Sequence, residues 1–205
     1  MLTAQSTLIK DQFQANKAGW IKSFGHGLSQ DQDGNYLPWM TYPFIKYISS
    51  KLNDRQIIFE YGSGSSTLFF AKRVKKVVTV ESNKKWYEIT KQKLFEDKIN
   101  NVELIYFEDA LQNNNYELFA SNYQEKFDLI IIDSLKRFNC ATNSLGAIKS
   151  DGAIILDDSE RKNYRKIFEF FLSNNFISKD FPGIAPGGLK IKNSTIFYKQ
   201  SSTFL

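Results

Sequence analysis

The sequence predicts an α/β fold: a single doubly wound sheet of seven strands, mostly parallel, with an antiparallel C-terminal hairpin and helices on both faces. Two observations predict it. From about residue 55 onward, short unbroken apolar runs alternate with segments of helical spacing, whereas the tail contains two strand-like runs with no helix between them. Unbroken runs of Val, Ile, Leu and Phe are typical of strands covered on both faces, as in a parallel sheet.

The elements can be placed along the chain from their apolar patterns. Seven runs are the strand candidates: 56–61, 77–80, 101–107, 127–133, 152–157, 176–181 and 194–200. The apolar spacing predicts one helix across 138–148 and a second across 164–172. Helix starts are expected where polar pairs precede helical runs, at 65–66, 82–83 and 158–159. Residues 1–54 are interpreted as a helical and irregular cap, and 55–205 as the ligand-binding domain.

Composition limits the class of protein. The chain has 205 residues, 42% of them hydrophobic, and a formal net charge of +5, which suits one well-buried domain. The single cysteine, Cys140, excludes an intramolecular disulfide and a cysteine metal cage. No apolar stretch resembles a signal peptide or a membrane span, so a cytoplasmic protein without membrane contact is expected. A monomer and a homodimer are equally compatible with the sequence.

The strongest functional signal is the segment EYGSGSST at 60–67. It follows a predicted strand and opens a predicted helix, so Gly62 and Gly64 would allow a tight turn and a close approach of the backbone to a ligand. Glu81 stands at the end of the next strand, where it could accept hydrogen bonds from two ribose hydroxyls. The alternative is that these are turn glycines without a ligand.

Two further residues narrow the ligand. Thr67 stands where a dinucleotide site has its third glycine, and a larger residue there hinders the close helix approach used with a pyrophosphate. Glu60 supplies a negative charge suited to an amino group. A ligand with a ribose, an ammonium group and no phosphate is therefore expected, and S-adenosylmethionine has these properties.

Five segments, in this order, resemble the motifs of class I S-adenosylmethionine-dependent methyltransferases: EYGSGSST, VTVESN, FEDA, FDLIIIDS and GAIILDDSER. The resemblance covers roughly residues 55–200 and implies a Rossmann-like fold. It also implies that Gly62 and Gly64 contact the methionine part, with Glu60 near its amino group, and that Glu81 holds the ribose. Asp109 would accept from the adenine amino group, unless it is an ordinary loop or cap aspartate. The implied cofactor set is completed by Ala110, Ser63, Ser66, Thr67, Ser82 and Asp133.

Three aspartates follow two predicted strands: Asp133, Asp157 and Asp158. Strand ends meet at the ligand crevice of a parallel sheet, and clustered carboxylates suit Mg²⁺. The pattern is similar to the metal-dependent catechol and caffeoyl-coenzyme A O-methyltransferases, which implies Lys136 as the catalytic base beside Asp133. Asp158 departs from that family, which has Asn there. A metal-free alternative therefore stays open, in which Asp133 contacts cofactor or substrate and Asp158 caps the helix beginning near Ser159.

Other residues have weaker signals. His26, the only histidine, lies in a glycine-flanked loop from which it could act as a general base or remain in solvent. Trp39 and Tyr42 could form an aromatic wall for substrate or pack in the core. The glycine-rich loop 182–188 is expected to be mobile and to contact the substrate, and Cys140 is expected to be buried.

The expected function is methylation of a small molecule, most simply at oxygen, by displacement at the sulfonium methyl. The positive charge suggests an RNA or protein methyltransferase as an alternative. A nucleic-acid partner is disfavoured because no recognisable nucleic-acid module and no Asn-Pro-Pro-Tyr-type motif is present. A cofactor-binding scaffold without catalysis and a nicotinamide oxidoreductase are the remaining alternatives.

Overall fold

The computed structural model describes residues 18–24, 27–124 and 126–205. The strands are β1 (Ile57–Tyr61), β2 (Lys76–Glu81), β3 (Val102–Tyr106), β4 (Phe127–Ile132), β5 (Ile148–Asp157), β6 (Ile177–Gly183) and β7 (Lys192–Tyr198). They form one sheet in the order β3-β2-β1-β4-β5-β7-β6. The first five strands are parallel, and β7 runs antiparallel to both β5 and β6. The predicted fold class is confirmed.

Helices cover both faces of the sheet. The described α-helices are α1 (Trp20–Ser23), α2 (Tyr42–Ser49), α3 (Ser65–Ala71), α4 (Lys84–Glu96), α5 (Arg137–Asn143) and α6 (Arg165–Ser173). Buried residues of α2, α3 and α4 form one apolar cluster with the sheet, and those of α5 and α6 form a second cluster on the opposite face. Ile58 and Phe59 are neighbours in β1 yet belong to opposite clusters, because successive strand residues alternate between faces. Double coverage explains the unbroken apolar runs.

The described part of the N-terminal segment belongs to the same core. Phe44 and Ile48 of α2 are fully buried in the cluster that α3 and α4 share with the sheet. Thr41 begins this helix: its hydroxyl accepts from the Phe44 amide at 3.4 Å and donates to the Phe181 carbonyl at 2.7 Å. The second contact links α2 to β6. No helix among the described residues is both long and apolar enough to cross a membrane.

Two predicted helix boundaries are wrong. The helix expected across 138–148 ends at Asn143, and Ile148 already belongs to β5, where it pairs with Phe127. Phe138, expected on its apolar face, is 41% exposed, whereas Cys140 is buried as predicted. Ile148 belongs to the sheet because pairing with a neighbouring strand is more favourable than the weak local preference for a helix.

Asp158 and Ser159 do not begin a helix. Asp158 adopts a left-handed conformation with φ of 55°, and α6 begins only at Arg165. The Ser159 amide donates to the Asn193 carbonyl at 3.0 Å, and its hydroxyl lies 2.6 Å from that of Thr195. These contacts hold the segment against β7, so Asp158 is not a helix cap and is available for ion pairs.

The start of α4 matches its prediction and provides a test of local stability. The Asn83 side chain accepts from the amides of Lys85 and Trp86 at 3.0 and 3.2 Å. We expect Asn83→Ala to lower the free energy of unfolding by about 1 kcal/mol, because two helix N–H groups lose their acceptor. Urea unfolding followed by circular dichroism measures this. Asn83→Ser, which keeps a capping oxygen, is the control and should lose much less; equal losses would contradict the cap.

Candidate active site

A cavity of about 340 Å³ opens at the carboxyl ends of β1, β2 and β4. This is where open α/β sheets bind their ligands. It is lined by seven of the predicted site residues: Gly62, Ser63, Gly64, Ser66, Glu81, Ser82 and Asp133. It is also lined by Trp39, Trp86, Ser134, Leu135 and Arg137. The other predicted residues that the structure describes lie outside this lining, and His26 lies outside the described residues.

Gly62 holds the loop between two strands. Its φ is 97°, in the left-handed region, and a Cβ built on it would stand 2.3 Å from the Asp133 carbonyl oxygen. Its amide donates to the Val80 carbonyl at 2.9 Å, and its own carbonyl accepts from the Thr79 hydroxyl at 3.0 Å. Only glycine meets both the conformational and the steric demand. The glycine loop is therefore in close contact with the ends of both β2 and β4.

Glu81 joins the glycine loop to the start of α4. Its Oε2 accepts from the Ser63 amide at 2.6 Å and from the Ser63 hydroxyl at 3.1 Å, and its Oε1 accepts from the Asn83 amide at 2.6 Å. An ionised carboxylate offers about four acceptor sites. The Ser63 hydroxyl also lies 3.2 Å from the Thr90 hydroxyl, a second partner to which it can turn. The carboxylate can thus accept from two ligand hydroxyls.

Glu60 and Thr67 support the loop from behind and do not line the cavity. The Thr67 hydroxyl accepts from the Gly64 amide at 3.1 Å and donates to Glu60 Oε2 at 2.5 Å. Glu60 is fully buried, and its Oε1 has no hydrogen-bond partner among the described residues. Burial raises the pKa of the Glu60 carboxyl to about 8. Its contact with an amino group of a ligand stays a prediction.

The raised pKa of Glu60 predicts a pH-dependent stability. Because the folded protein holds this proton more tightly than the unfolded chain, the stability from proton binding is complete below about pH 4.5 and is lost as the pH rises towards 8. We expect Glu60→Gln, which stays neutral, to gain stability relative to the wild type between pH 5 and pH 8. Urea unfolding at both pH values measures the difference. A constant difference would show that Glu60 is ionised throughout.

The predicted adenine contacts, Asp109 and Ala110, are not among the residues that line the cavity. Asp109 is exposed, with φ of 56°, and its carbonyl accepts from the amides of Gln112 and Asn113 at 2.9 and 3.0 Å. Ala110 is buried in the apolar cluster beneath α5 and α6. Asp109 therefore closes a turn after β3, and its role towards adenine stays a prediction.

Lys136 and Arg137 follow Asp133 in the sequence, but their charged groups lie in different places. The Lys136 ammonium contacts Glu117 at 3.1 Å and does not line the cavity. Arg137 lines the cavity, contacts Asp133 and donates to the Tyr164 hydroxyl at 2.8 Å. In this arrangement the guanidinium, and not the predicted lysine base, stands beside Asp133. A guanidinium stays protonated, so it can orient a carboxylate but cannot accept a proton.

The three predicted metal ligands do meet. One carboxylate oxygen from each of Asp133, Asp157 and Asp158 lies within 4.8 Å of the others. These carboxylates already contact basic side chains: Arg137 at Asp133, Lys192 at Asp157, and Arg137, Arg161 and Lys192 at Asp158. Among the described residues, three basic side chains therefore contact the three carboxyl groups. The residues present do not fit a resident Mg²⁺, because an ion would have to displace these partners.

Two tryptophans, Trp39 and Trp86, line the cavity. The rings of Trp39 and Trp86 meet edge to face, with centroids 5.4 Å apart. Tyr42 instead packs in the core, where its hydroxyl donates to the Ala18 carbonyl at 3.1 Å. Trp86 was not predicted as a site residue. Its position one turn after the Asn83 cap could have indicated this role, because a residue there faces back towards the glycine loop.

The glycine-rich loop borders a second cavity. This cavity measures about 330 Å³ and is lined by Ser23, Trp39, Ala185, Pro186, Gly187, Gly188 and Lys192. Trp39 lines both cavities. The loop itself is attached to neighbouring elements: the Trp20 indole donates to the Gly188 carbonyl at 2.8 Å, and the Tyr42 amide donates to the Ile184 carbonyl at 3.0 Å.

Comparison with known proteins identifies the fold. No protein-family model matches the chain, and no curated protein matches it. An rRNA methylase from Streptococcus thermophilus is 18% identical over 77% of this chain and 96% of its own, with a TM-score of 0.59. The O-methyltransferase TomG from Streptomyces achromogenes is 15% identical over 91% of this chain and 87% of its own, with a TM-score of 0.62. The chain has the class I methyltransferase fold.

The resemblance found in the motifs is thus confirmed at the level of the fold. A precorrin-6y C5,15-methyltransferase from Geobacter metallireducens shares it as well, at 13% identity over 86% of this chain and 98% of its own, with a TM-score of 0.61. These three methyltransferases carry names with different acceptors. The class I methyltransferase fold therefore does not select an acceptor by itself.

Proposed function

We propose that this protein binds S-adenosylmethionine in the first cavity and transfers its methyl group to an oxygen of a small molecule. The observation that carries the proposal is the pairing of the Gly62–Gly64 loop with Glu81 in one cavity wall at the ends of parallel strands. The Streptomyces achromogenes O-methyltransferase of the same fold was solved in complex with S-adenosylmethionine.

The charge of the lining supports a cofactor without phosphate. Glu81 and Asp133 line the cavity, and Arg137, the one lining cation among the described residues, is engaged with carboxylates. A pyrophosphate would face these two carboxylates, and the part of the chain that the structure describes offers it no free cation there, whereas a sulfonium and an ammonium group would be attracted to the carboxylates. The same charge balance disfavours an RNA phosphate backbone at the cavity mouth.

We place the reacting hydroxyl of the acceptor in the first cavity, between Trp39 and Asp133, with the rest of the acceptor extending past Trp39 towards the second cavity. An oxygen–carbon bond forms to the methyl group as the sulfur–carbon bond breaks, S-adenosylhomocysteine leaves, and the acceptor hydroxyl gives up its proton. Asp133 is the proposed proton acceptor, since its half-buried carboxylate lines the first cavity and is oriented by Arg137. The main contribution of the protein is alignment of oxygen, methyl and sulfur away from water.

Calorimetric titration tests the cofactor. We expect saturable binding of S-adenosylmethionine, unchanged by Mg²⁺, and none of NAD. Tight NAD binding with no response to S-adenosylmethionine would overturn the proposal. The acceptor class is tested separately by S-adenosylhomocysteine release with hydroxylated aromatic compounds and with total RNA as probes. Turnover with RNA alone, falling steeply with salt, would favour the nucleic-acid alternative.

The ribose contact has its own test. We expect Glu81→Ala to weaken S-adenosylmethionine binding by about 1–3 kcal/mol, because the ligand hydroxyls lose a charged acceptor and the Ser63 amide loses its partner. Calorimetry measures the dissociation constant. Glu88→Ala, an equivalent change at an exposed position of α4, is the matched control. An unchanged dissociation constant in Glu81→Ala would show that Glu81 does not hold the ribose.

A further inference from the structure

Lys192 contacts two of the three clustered aspartates, Asp157 and Asp158. Its ammonium group donates to Asp157, to Asp158 Oδ1 at 2.6 Å and to the Trp39 carbonyl at 3.0 Å. An ammonium group has three N–H donors, so all three are used. Two carboxylates and one carbonyl thus pair the ammonium group completely.

The carboxylates around Lys192 have few free acceptor positions. Asp157 is almost completely buried, and its Oδ1 accepts from the Ser194 hydroxyl at 2.7 Å while Oδ2 contacts Lys192. Asp158 Oδ2 contacts Arg161, and Arg137 at 3.4 Å. A divalent ion that used these oxygens would expel the ammonium group and leave the Trp39 carbonyl without its donor.

We infer that Lys192 is the resident cation of this cluster, occupying the position that a divalent metal would need, and that it positions the Trp39 segment over the ends of β5 and β7. Its three oxygen partners come from the end of β5 and from the segment before α2, so a single side chain joins parts of the chain that are distant in sequence. This inference concerns the cluster alone and holds whether or not the proposed methyl transfer is correct.

Terbium(III) titration, read by tryptophan-sensitised luminescence, tests the inference. Terbium prefers oxygen ligands as Mg²⁺ and Ca²⁺ do, and Trp39 lies beside the cluster. We expect no saturable signal from the wild type or from K192R, which keeps the charge. K192M should gain a saturable signal at least about tenfold above the wild type, because three carboxylates then lack one of their unit charges. Excess Ca²⁺ should displace it, and the further change D157N should abolish it.

Two results would overturn the inference. One is a saturable wild-type signal that D157N removes, which would mean that the cluster binds metal with Lys192 in place. The other is a folded K192M, verified by circular dichroism, that gains no signal. If K192M does not fold, the comparison of wild type with D157N still decides: no signal in either supports Lys192 as the cation. Titration with S-adenosylmethionine, performed separately, reports on the proposed function and not on this cluster.

Discussion

We expect Gly62→Ala to lower the free energy of unfolding by about 3 kcal/mol or more, enough to leave much of the protein unfolded. A left-handed conformation costs a residue with a Cβ about 1–2 kcal/mol. The added methyl would also stand 2.3 Å from the Asp133 carbonyl oxygen and 3.3 Å from its carbonyl carbon. These are backbone atoms at the end of β4, so relief requires a strand to shift, and overpacking of this kind costs about 1–3 kcal/mol.

Urea unfolding measures the loss, and titration of any folded Gly62→Ala protein should show no saturable S-adenosylmethionine binding. Gly146→Ala is the matched control, since a Cβ there meets only the Ser121 hydroxyl at 4.0 Å and its φ lies outside the left-handed region. Wild-type stability in Gly62→Ala would show that β4 can move away from the loop, and the close approach of these two segments would not be required for folding.

The second large effect is expected at Asp157. Asp157→Ala should lower the free energy of unfolding by about 3 kcal/mol or more, because the half-buried ammonium of Lys192 loses one carboxylate and the buried Ser194 hydroxyl loses its acceptor. The ammonium keeps Asp158 and the Trp39 carbonyl, so the loss stays near the low end for a broken buried pair.

Thermal and urea unfolding, each with and without Mg²⁺, measure this change. Asp54→Ala at an exposed turn is the matched control and should leave stability nearly unchanged. The wild type should show the same midpoint with and without Mg²⁺. A wild-type midpoint that rises with Mg²⁺, in a way that Asp157→Ala abolishes, would favour a metal centre over an internal ion-pair cluster.

The strands and the glycine loop could be predicted because their causes are local. A run such as 127–132 is apolar at almost every position, and both faces of β4 are covered. The order of Glu60, Gly62, Gly64 and Glu81 likewise predicts a turn at the end of one strand and an acidic residue at the end of the next. This prediction does not depend on contacts between residues distant in sequence. The helix ends at 143 and 165 were missed because sheet pairing and contacts with β7 overrode weak local spacing.

The part of the site outside the glycine loop depends on which side chains the tertiary packing brings to the cavity. Lys136 and Arg137 are adjacent in sequence, yet one contacts Glu117 and the other Asp133. Lys136 has a left-handed conformation, with φ of 52°, just before the first turn of α5. A lysine followed by an arginine does not predict this conformation. Sequence spacing relative to Asp133 favoured the lysine, whereas the geometry of the turn brings the arginine to the cavity.

Local sequence patterns are enough to predict the seven-stranded sheet, the position of the glycine loop and the acid of the next strand, since each follows from periodicity or from a backbone need confined to a few residues. The partners of the three aspartates, in contrast, depend on strand pairing in the folded protein. Lys192 follows Asp157 by 35 positions and reaches it because β7 runs antiparallel beside β5. Because strand pairing brings the Lys192 charge to Asp157, no spacing pattern along the chain predicts the contact. The presence of that charge distinguishes an ion-pair cluster from a metal centre.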